Sequence, residues 1–548
     1  MLLTGSEIVV RILLEQGCDT VFGYPGGQVL DIYDSLYRHR KEIKHVLTAH
    51  EQGAAHAADG YARATGRVGV VIATSGPGAT NLVTGIATAY MDSVPMVAIC
   101  GNVPTTQIGT DSFQEIDITG ITVPITKYNF FVKRIEDLAD AVRRAFVLAK
   151  TGRPGPVLID VPKDIQEAKY QYEPKQPEAG PEPFAAKDVR IGEAAGMINA
   201  AKRPFIYFGG GVVTSGAAEE IKKLSRKIDA PVACSMMGLS AIPSDYPGFL
   251  GMQGMHGHYA ATAAMQKADV IVALGVRFND RVTGDRTKFA LKQKVVHIDI
   301  DGSELAKTVD EACSLRGDLK LTLKKLLPLV EKSGKPAWEK QVEELKVKEK
   351  ELCCFREGFT PQNILKMLNK KLSGNTPVAT DVGQHQVWAA QELKFSTPRR
   401  FISSGGLGTM GYGFGAAMGA YFGTGERPVL ITGDGSFGMS LNELATAVTY
   451  KVPIVILIMN NGVLGMVRQL QTLGYKKHYS STVLDRKTDF AMLAKSFGAD
   501  GMSVSGLDEL EAALNKAFSG NMPYVLDCRI DKDEAVSYMI PSEDISGR

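Results

Sequence analysis

The sequence lacks three things that would each point to a class of protein. Its seven cysteines, among 548 residues, are scattered without CxxC or CxxH spacing, and Cys353-Cys354 is the one adjacent pair. No disulfide framework or thiolate metal site reads from that. The longest apolar runs, such as Val452–Met459, reach about eight residues, where a membrane span needs ~18. An excess of either charge is missing too. The 62 basic and 60 acidic residues leave +2, so there is no basic stripe to hold a nucleic-acid backbone. The first residues, MLLTGSEIVVRILLEQG, have no basic leader and space their apolar residues helically, unlike a signal or transit peptide. The expectation is a cytoplasmic protein with neither nucleic acid nor membrane as a partner.

Glycine is what the chain has in excess. It makes up 57 of 548 residues, 10.4% against about 7% in an average protein. With 44% hydrophobic residues and ordinary proline, neither disorder nor collagen explains it. The glycines must serve backbone geometry. Length sets a prior of three or four domains at about 150 residues each. Short unbroken apolar runs (VGVVIAT, PVLIDV, DVIVALG, PVLITG) alternate with stretches of helical spacing. That is the mark of parallel sheets covered on both faces, hence of an α/β protein. Two composition shifts suggest boundaries. One is the proline-rich polar stretch Lys169–Pro183; the other, Lys320–Lys350, is rich in Lys and Glu and reads as a solvated helix leading to a linker. Three domains follow, over residues 1–168, 184–345 and 358–535.

An internal repeat relates the first domain to the third. Residues 70–102 align without gaps to 428–460, an offset of 358. Thr74 meets Thr432, Ala87-Thr88-Ala89 meets Ala445-Thr446-Ala447, and Val94-Pro95 meets Val452-Pro453. Each copy reads strand, glycine turn, helix, Val-Pro, buried strand. At the turn Gly76 is answered by Asp434, a carboxylate at the carboxyl end of a strand, where α/β sheets bind ligands.

Gly433-Asp434-Gly435-Ser436 closes one strand and opens a helix, and 26 residues after Asp434 the next buried strand ends in Asn460-Asn461. In adjacent parallel strands, Asp434 and Asn461 offer a carboxylate and an amide oxygen to one hard cation. Mg²⁺ takes about six oxygens and completes its shell with phosphates and water. Gly435 lets the backbone approach those phosphates, and the helix from Ser436 aims N–H groups at them. A Gly-Asp-Gly alone is a common turn; the Asn-Asn pair at this spacing is what makes it a motif.

This pairing resembles the thiamine diphosphate motif. The whole chain resembles the catalytic large subunits of the acetohydroxyacid synthase (acetolactate synthase) family. The likeness is carried by Gly23-Tyr24-Pro25-Gly26-Gly27, Ala49-His50-Glu51-Gln52-Gly53-Ala54, Thr74-Ser75-Gly76-Pro77-Gly78-Ala79-Thr80-Asn81 and Asp111-Ser112-Phe113-Gln114-Glu115. It continues through Asp160-Val161-Pro162-Lys163-Asp164, the run from Gly275 to Gly284, and Leu464-Gly465-Met466-Val467-Arg468-Gln469. It implies three doubly wound domains of the decarboxylase/carboligase type, binding in turn the cofactor's pyrimidine, FAD, and the diphosphate with Mg²⁺. It also implies a homodimer or tetramer with active sites between subunits, and leaves room for a small regulatory subunit. The implied reaction decarboxylates pyruvate and joins the two-carbon remainder to a second 2-ketoacid, pyruvate or 2-ketobutyrate. The product is 2-acetolactate or its homologue, for branched-chain amino acid synthesis.

Residue roles follow from the same likeness. Glu51, in an otherwise small and apolar run, hydrogen-bonds the aminopyrimidine; a carboxyl in apolar surroundings resists ionising and so can protonate the ring. The Gly405–Gly411 run contains GxGxxG, but no acidic residue ends a strand about 20 residues on, as a dinucleotide site would want. The likeness instead places the Gly408 carbonyl on the pyrimidine amino group and Met410 under the bent cofactor. Val382, Gly383, Gln384 and His385 lie over the diphosphate and thiazolium, with Gly26, Gly435, Ser436 and Met466 as further cofactor contacts. Val463 joins Asp434 and Asn461 around Mg²⁺. Arg281 is the clamp for the second ketoacid's carboxylate, which guanidinium binds bidentately. Met255, Phe113, Gln114 and Lys163 match active-site positions; singly each reads as packing or surface. Gly210, Gly275, Arg277, Val282 and Asp299 match FAD contacts.

Three departures stand out. Asn279 takes the place of the family's usual aspartate beside the flavin. Leu470 replaces a tryptophan that narrows the acceptor pocket, which removes a shape preference for 2-ketobutyrate of ~1–3 kcal/mol. Phe414-Gly415 replaces Leu-Pro, a local backbone change with no evident functional consequence. The tail Tyr538–Arg548 is a candidate lid. Rivals within the class are a catabolic acetolactate synthase without flavin, a pyruvate oxidase that turns its flavin over, and a decarboxylase, which often carries a His-His pair that this chain lacks. A catalytically silent scaffold is the rival outside it, and intact Glu51, Asp434 and Asn461 weigh against that.

Overall fold

The computed structural model describes residues 1–287, 289–290, 292–352 and 356–536. The Cys353-Cys354 pair and the candidate lid Tyr538–Arg548 lie outside them.

The chain forms two compact units. The larger joins residues 1–181, 376–385 and 402–532; the other holds 182–375, 386–401 and a return from Asp533. In the larger unit, β1 (Leu2–Thr4) pairs antiparallel with β8 (Lys169–Gln171), so the proline-rich stretch begins with a strand of the first domain. Between them lie β2 (Thr20–Tyr24), β3 (Lys44–Leu47), β4 (Gly69–Ala73), β5 (Met96–Asn102), β6 (Tyr128–Phe131) and β7 (Pro156–Pro162). They form a parallel sheet of order β3-β2-β4-β5-β7-β6.

The smaller unit carries β9 (Pro204–Phe208), β10 (Val232–Cys234), β11 (Phe249–Met252), β12 (Val270–Leu274), β13 (Lys294–Asp299) and β14 (Cys313–Arg316), ordered β11-β10-β9-β12-β13-β14. The third sheet is built from β15 (Val378–Thr380), β16 (Phe401–Ile402), β17 (Val429–Gly433), β18 (Val455–Asn460), β19 (Asp500–Val504) and β20 (Tyr524–Arg529), ordered β16-β15-β17-β18-β20-β19.

Numbered from its own first strand, the first sheet reads 2-1-3-4-6-5, and so does the third; the middle sheet reads 3-2-1-4-5-6. The repeat is therefore a repeat of topology, and the domain between the copies has the order of dinucleotide-binding sheets. The continuous apolar strands have the physical cause expected of them. Along β4, Val70 and Ile72 enter one core while Val71 and Ala73 enter the core on the opposite face. Both faces are covered, so no residue of the strand can be polar.

Helices Glu51–Thr65 and Tyr412–Thr424 run side by side between the two like sheets, and glycine decides how closely. A Cβ on Gly60 would stand 2.1 Å from the Ala416 carbonyl oxygen, and one on Gly419 would stand 1.8 Å from that of Ala57. Phe414-Gly415 finds its reason here: a Cβ on Gly415 would stand 2.6 Å from the Gly53 carbonyl oxygen, and Phe414 stacks on Phe437 with centroids 6.0 Å apart. The Lys- and Glu-rich stretch departs from its solvated reading. It folds as helices Leu319–Leu329 and Pro336–Leu352, each with a buried stripe. Trp338, Val342 and Leu345 complete the core of the middle sheet, and the Trp338 indole N–H donates to the Pro204 carbonyl at 3.0 Å.

Candidate active site

In each sheet the loops after two neighbouring strands diverge beside the first strand, at the point where the strand order turns back. In the first domain that point lies between β2 and β4. After β2, a Cβ on Gly26 would stand 2.5 Å from Thr74 Cγ2, and the Thr74 hydroxyl accepts the Gln28 N–H at 3.3 Å. After β4, Gly76 takes φ +56°, and Gln114 lies 2.9 Å from where its Cβ would be. Glu51 opens helix Glu51–Thr65 behind the N-cap His50. Its carboxylate accepts from Asn81 Nδ2 at 3.0 Å and faces Gly78, whose Cβ would stand 3.4 Å from Oε1. Gly26, Glu51 and Gln114 are thus brought together around one turn.

Phe113 differs from its neighbour Gln114: it is 85% exposed. The loop that presents it is pinned by the Glu115 carboxylate, which accepts the N–H groups of Gly109 and Ser112, and Asp111 and Gln114 hold φ of +57° and +62°. Lys163 donates to Asp31 at 2.7 Å; that hydrogen bond raises its pKa and makes it an ion-paired group rather than a free base.

In the third domain the reversal lies between β15 and β17. Gly433 ends β17 and Asp434 begins helix Asp434–Ser440. Burial pushes the Asp434 carboxyl up to about 6, opposed by backbone N–H groups that include those of Asn461 and Gly435. The register Gly433↔Met459 sets the Asn460-Asn461 end beside Asp434, as expected. The Asn461 amide oxygen accepts the Val463 N–H at 3.2 Å, and Asn461 Nδ2 donates to Gln384 Oε1 at 3.5 Å. Gln384 donates on to Gln469 at 2.7 Å. His385 is buried, its imidazolium disfavoured so strongly that its pKa falls to about 3, and among the described residues its Nε2 has no hydrogen-bond partner. It rests between Gly383 and Gly433, whose Cβ atoms would stand 2.8 and 3.0 Å from its ring. Ser436 donates to the Val382 carbonyl at 3.3 Å, Val382 Cγ1 lies 3.9 Å from a Cβ on Gly408, and Met410 Cε lies 3.9 Å from one on Gly435. Met466 follows on helix Gly465–Gly474.

An orphaned imidazole nitrogen, a helix start and a glycine cradle suit an anion, and a neighbouring carboxylate and amide suit its cation. Among the described residues no group of three or more His, Cys, Asp or Glu side chains could hold a metal ion. A cation here would take Asp434, Asn461 and otherwise backbone, phosphate and water oxygens, the habit of Mg²⁺.

In the smaller unit the reversal lies between β9 and β12. Gly209 and Gly211 press against the Gly275 turn, with Cβ positions 2.7 Å from the Gly275 carbonyl oxygen and from its Cα. Gly275 itself holds φ +53°. Gly210 opens helix Gly210–Ser215, and Asp299 ends β13 one strand further. Beyond Gly275 run Arg277, Asn279, which precedes helix Asp280–Thr283, and Val282 within that helix. Arg281 and Met255 meet: Arg281 Nη1 lies 3.8 Å from Met255 Sδ, and the Met255 N–H donates to the Arg281 carbonyl at 2.8 Å.

Three family models match the chain: the N-terminal TPP binding domain of thiamine pyrophosphate enzymes over residues 3–121, their central domain over 191–326, and their C-terminal TPP binding domain over 381–528. The probable acetolactate synthase large subunit of Methanocaldococcus jannaschii is 45% identical, over 98% of this chain and 93% of that protein. The acetolactate synthase isozyme 3 and isozyme 2 large subunits of Escherichia coli (strain K12) are each 43% identical, over 98% of this chain and 96% and 98% of theirs. The chain belongs to the acetolactate synthase large-subunit family.

Several residues at the switch points of the first and third domains carried no sequence signal for their place. Asn81 lies in a matching segment, but only the fold brings it to Glu51. Asp381, fully buried beneath the third domain's turn, accepts from Thr432 at 2.6 Å and from the Gly413 N–H at 2.7 Å. Asp31 reaches Lys163 across 132 residues of chain. No helix of the described residues is long and apolar enough to cross a membrane.

Proposed function

We propose that the chain is the catalytic subunit of an acetolactate synthase, with residues 1–168 for the cofactor's pyrimidine, 184–345 for FAD and 358–535 for the diphosphate and Mg²⁺. One observation carries the reading: two sheets of identical topology end in unlike switch points, one with a carboxylic acid at a helix start, the other with a cation–anion cradle. Thiamine diphosphate, when bound, supplies the carbon nucleophile and the electron sink for decarboxylation.

The protein's part is to hold and orient. Glu51 meets the pyrimidine ring, and Asn81 fixes its carboxyl. Gly408 offers its carbonyl to the ring's amino group and Met410 supports the cofactor's bend. His385 and Gln384 meet the diphosphate; Asp434, Asn461 and the Val463 backbone hold Mg²⁺; Gly26, Val382, Gly383, Gly435, Ser436 and Met466 complete the cofactor's surroundings. Arg281 binds the second ketoacid's carboxylate with Met255 against its guanidinium, and Phe113, Gln114 and Lys163 line the reacting end. The exposed Phe113, a large apolar ring on a rigid loop beside Gln114, supports a homo-oligomer in which copies share the site. The middle sheet's order and its glycine-against-glycine turns support FAD at Gly210, Gly275, Arg277, Val282 and Asp299. The scattered cysteines, five of them free and buried, suit the cytoplasm. A small regulatory subunit remains a partner to look for in copurification.

The test is product analysis with pyruvate, alone and with 2-ketobutyrate, while thiamine diphosphate, Mg²⁺ and FAD are omitted in turn. Acetolactate that needs the first two is the expected result; acetaldehyde or acetate as the product would overturn it. A yellow protein releasing FAD on denaturation tests the flavin assignment.

A further inference from the structure

At the contact between the first and third domains, beside the buried Asp59 that accepts from Tyr412, two buried carboxylates each grip the backbone of a loop in the other domain. Glu443, in the third domain, is 1% exposed and lies beneath the loop that leads into Glu51. It accepts the Ala49 N–H on Oε2 and the His50 N–H on Oε1, both at 3.1 Å, and the Thr446 hydroxyl at 2.8 Å. Gly53 makes room for it, since a Cβ there would stand 2.0 Å from Oε1. Asp92, in the first domain, has a fully buried side chain and does the same for the loop that carries Gly408 and Met410. It accepts the Gly405 N–H on Oδ2 at 3.0 Å and the Gly406 N–H on Oδ1 at 2.8 Å. A Cβ on Gly406 would stand 2.8 Å from Oδ1. Arg63, on the helix that Glu51 opens, pairs with Asp92 at 3.0 Å and Asp59 at 2.5 Å. Thr88 and Thr409 share a hydrogen bond of 2.8 Å across the same contact.

One side of the arrangement has a counterpart in the internal repeat, although the repeat position of Glu443 is Gly85. Tyr450 stands at the repeat position of Asp92 (92 plus 358) and holds the opposite loop, its hydroxyl accepting the Leu47 N–H at 2.8 Å. We infer that Glu443 and Asp92 are reciprocal positioning residues, each domain lending a carboxylate to the loop that carries the other domain's cofactor-facing group. The inference rests on the thiamine diphosphate reading above. A two-point carboxylate clamp on adjacent N–H groups is charge-assisted, and burial shields it from salt and competing water. Removing one oxygen leaves a buried N–H unpaired and frees the loop rather than the fold.

The test is a crossed pair of variants, Glu443→Gln and Asp92→Asn, in the full chain. Without cofactor, amide hydrogen exchange over 49–52 should quicken about tenfold in the first variant with 405–410 unchanged, and the reverse should hold in the second. With cofactor, Glu443→Gln should lower kcat about tenfold and leave the thiamine diphosphate Kd, read from quenching of Trp fluorescence, unchanged. Asp92→Asn should instead raise that Kd about tenfold, with FAD content constant in both. If Asp92→Asn does not fold, Thr88→Val, which drops a neutral bond to the same loop, should still quicken exchange over 405–410 and raise the Kd by less. Equal change at both loops with a falling Tm, or no change at either, would overturn the inference. Wild-type protein that binds no thiamine diphosphate would sink the cofactor reading alone, since the exchange pattern is measured without it.

Discussion

In the first domain the turn after β4 runs Thr74-Ser75-Gly76-Pro77; in the third the matching segment, across the end of β17, runs Thr432-Gly433-Asp434-Gly435. Both follow the same strand of the same topology. The difference is one of backbone before it is one of side chain. Gly76 holds φ +56°, and Gln114 fills the space where a Cβ would go. Gly433 is extended at φ −106°, and Asp434 enters its helix directly. The third copy has room and conformation for a carboxylate, and the first has spent both on Gln114. The acid is distributed the other way: Glu51 opens the first domain's helix, and Tyr412 opens the third domain's helix packed against it. Each copy keeps one half of the chemistry, so neither suffices alone.

Removing the third copy's distinguishing group should have the largest effect. Asp434→Ala should abolish Mg²⁺-dependent thiamine diphosphate binding by calorimetry and cut kcat/KM by about 10³-fold or more, the several kcal/mol a catalytic cation supplies. Retained Mg²⁺ dependence would break the contrast between the turns. Glu51→Gln should lower kcat by about 10²-fold, the scale of general acid–base help, and leave cofactor binding in place; unchanged turnover would refute the acid assignment. Making the first turn resemble the third should fail. Gly76→Asp should create no second Mg²⁺ site in equilibrium dialysis and should destabilise the protein by roughly 1–3 kcal/mol in thermal unfolding, because a side chain at that φ is strained and meets Gln114. The smallest effect is expected at Leu470, 46% exposed on helix Gly465–Gly474. Leu470→Trp should move product ratios from mixed ketoacids toward acetohydroxybutyrate by about 1 kcal/mol, severalfold. A strong preference already present in the unaltered protein would overturn that reading.

Much of the architecture was legible because its signals are local. Continuous apolar strands need only the knowledge that both sheet faces are covered, and β4 delivers its side chains alternately to two cores as that demands. The Asp434-to-Asn461 spacing is legible for the same reason: two strand ends in parallel register lie side by side whatever surrounds them. The Lys- and Glu-rich stretch misled because composition hides a sparse stripe. Three buried residues, Trp338, Val342 and Leu345, suffice to seat a helix whose other faces are charged. Phe414-Gly415 gave no hint of purpose, since its reason is the backbone of another domain 2.6 Å away.

By itself, then, the sequence determined the three-sheet plan, the duplication, the turn that bears the carboxylate and the family. These are periodicities, spacings and matches along the chain. Tertiary structure alone decided that Asn81 meets Glu51, that His385 Nε2 lies in a glycine cradle without a hydrogen-bond partner among the described residues, and that Glu443 and Asp92 grip loops 393–394 and 313–314 positions away. A hydrogen bond between distant residues leaves no period or spacing in the chain. Its partners are chosen by where two helices come to rest, and here glycine sets that distance.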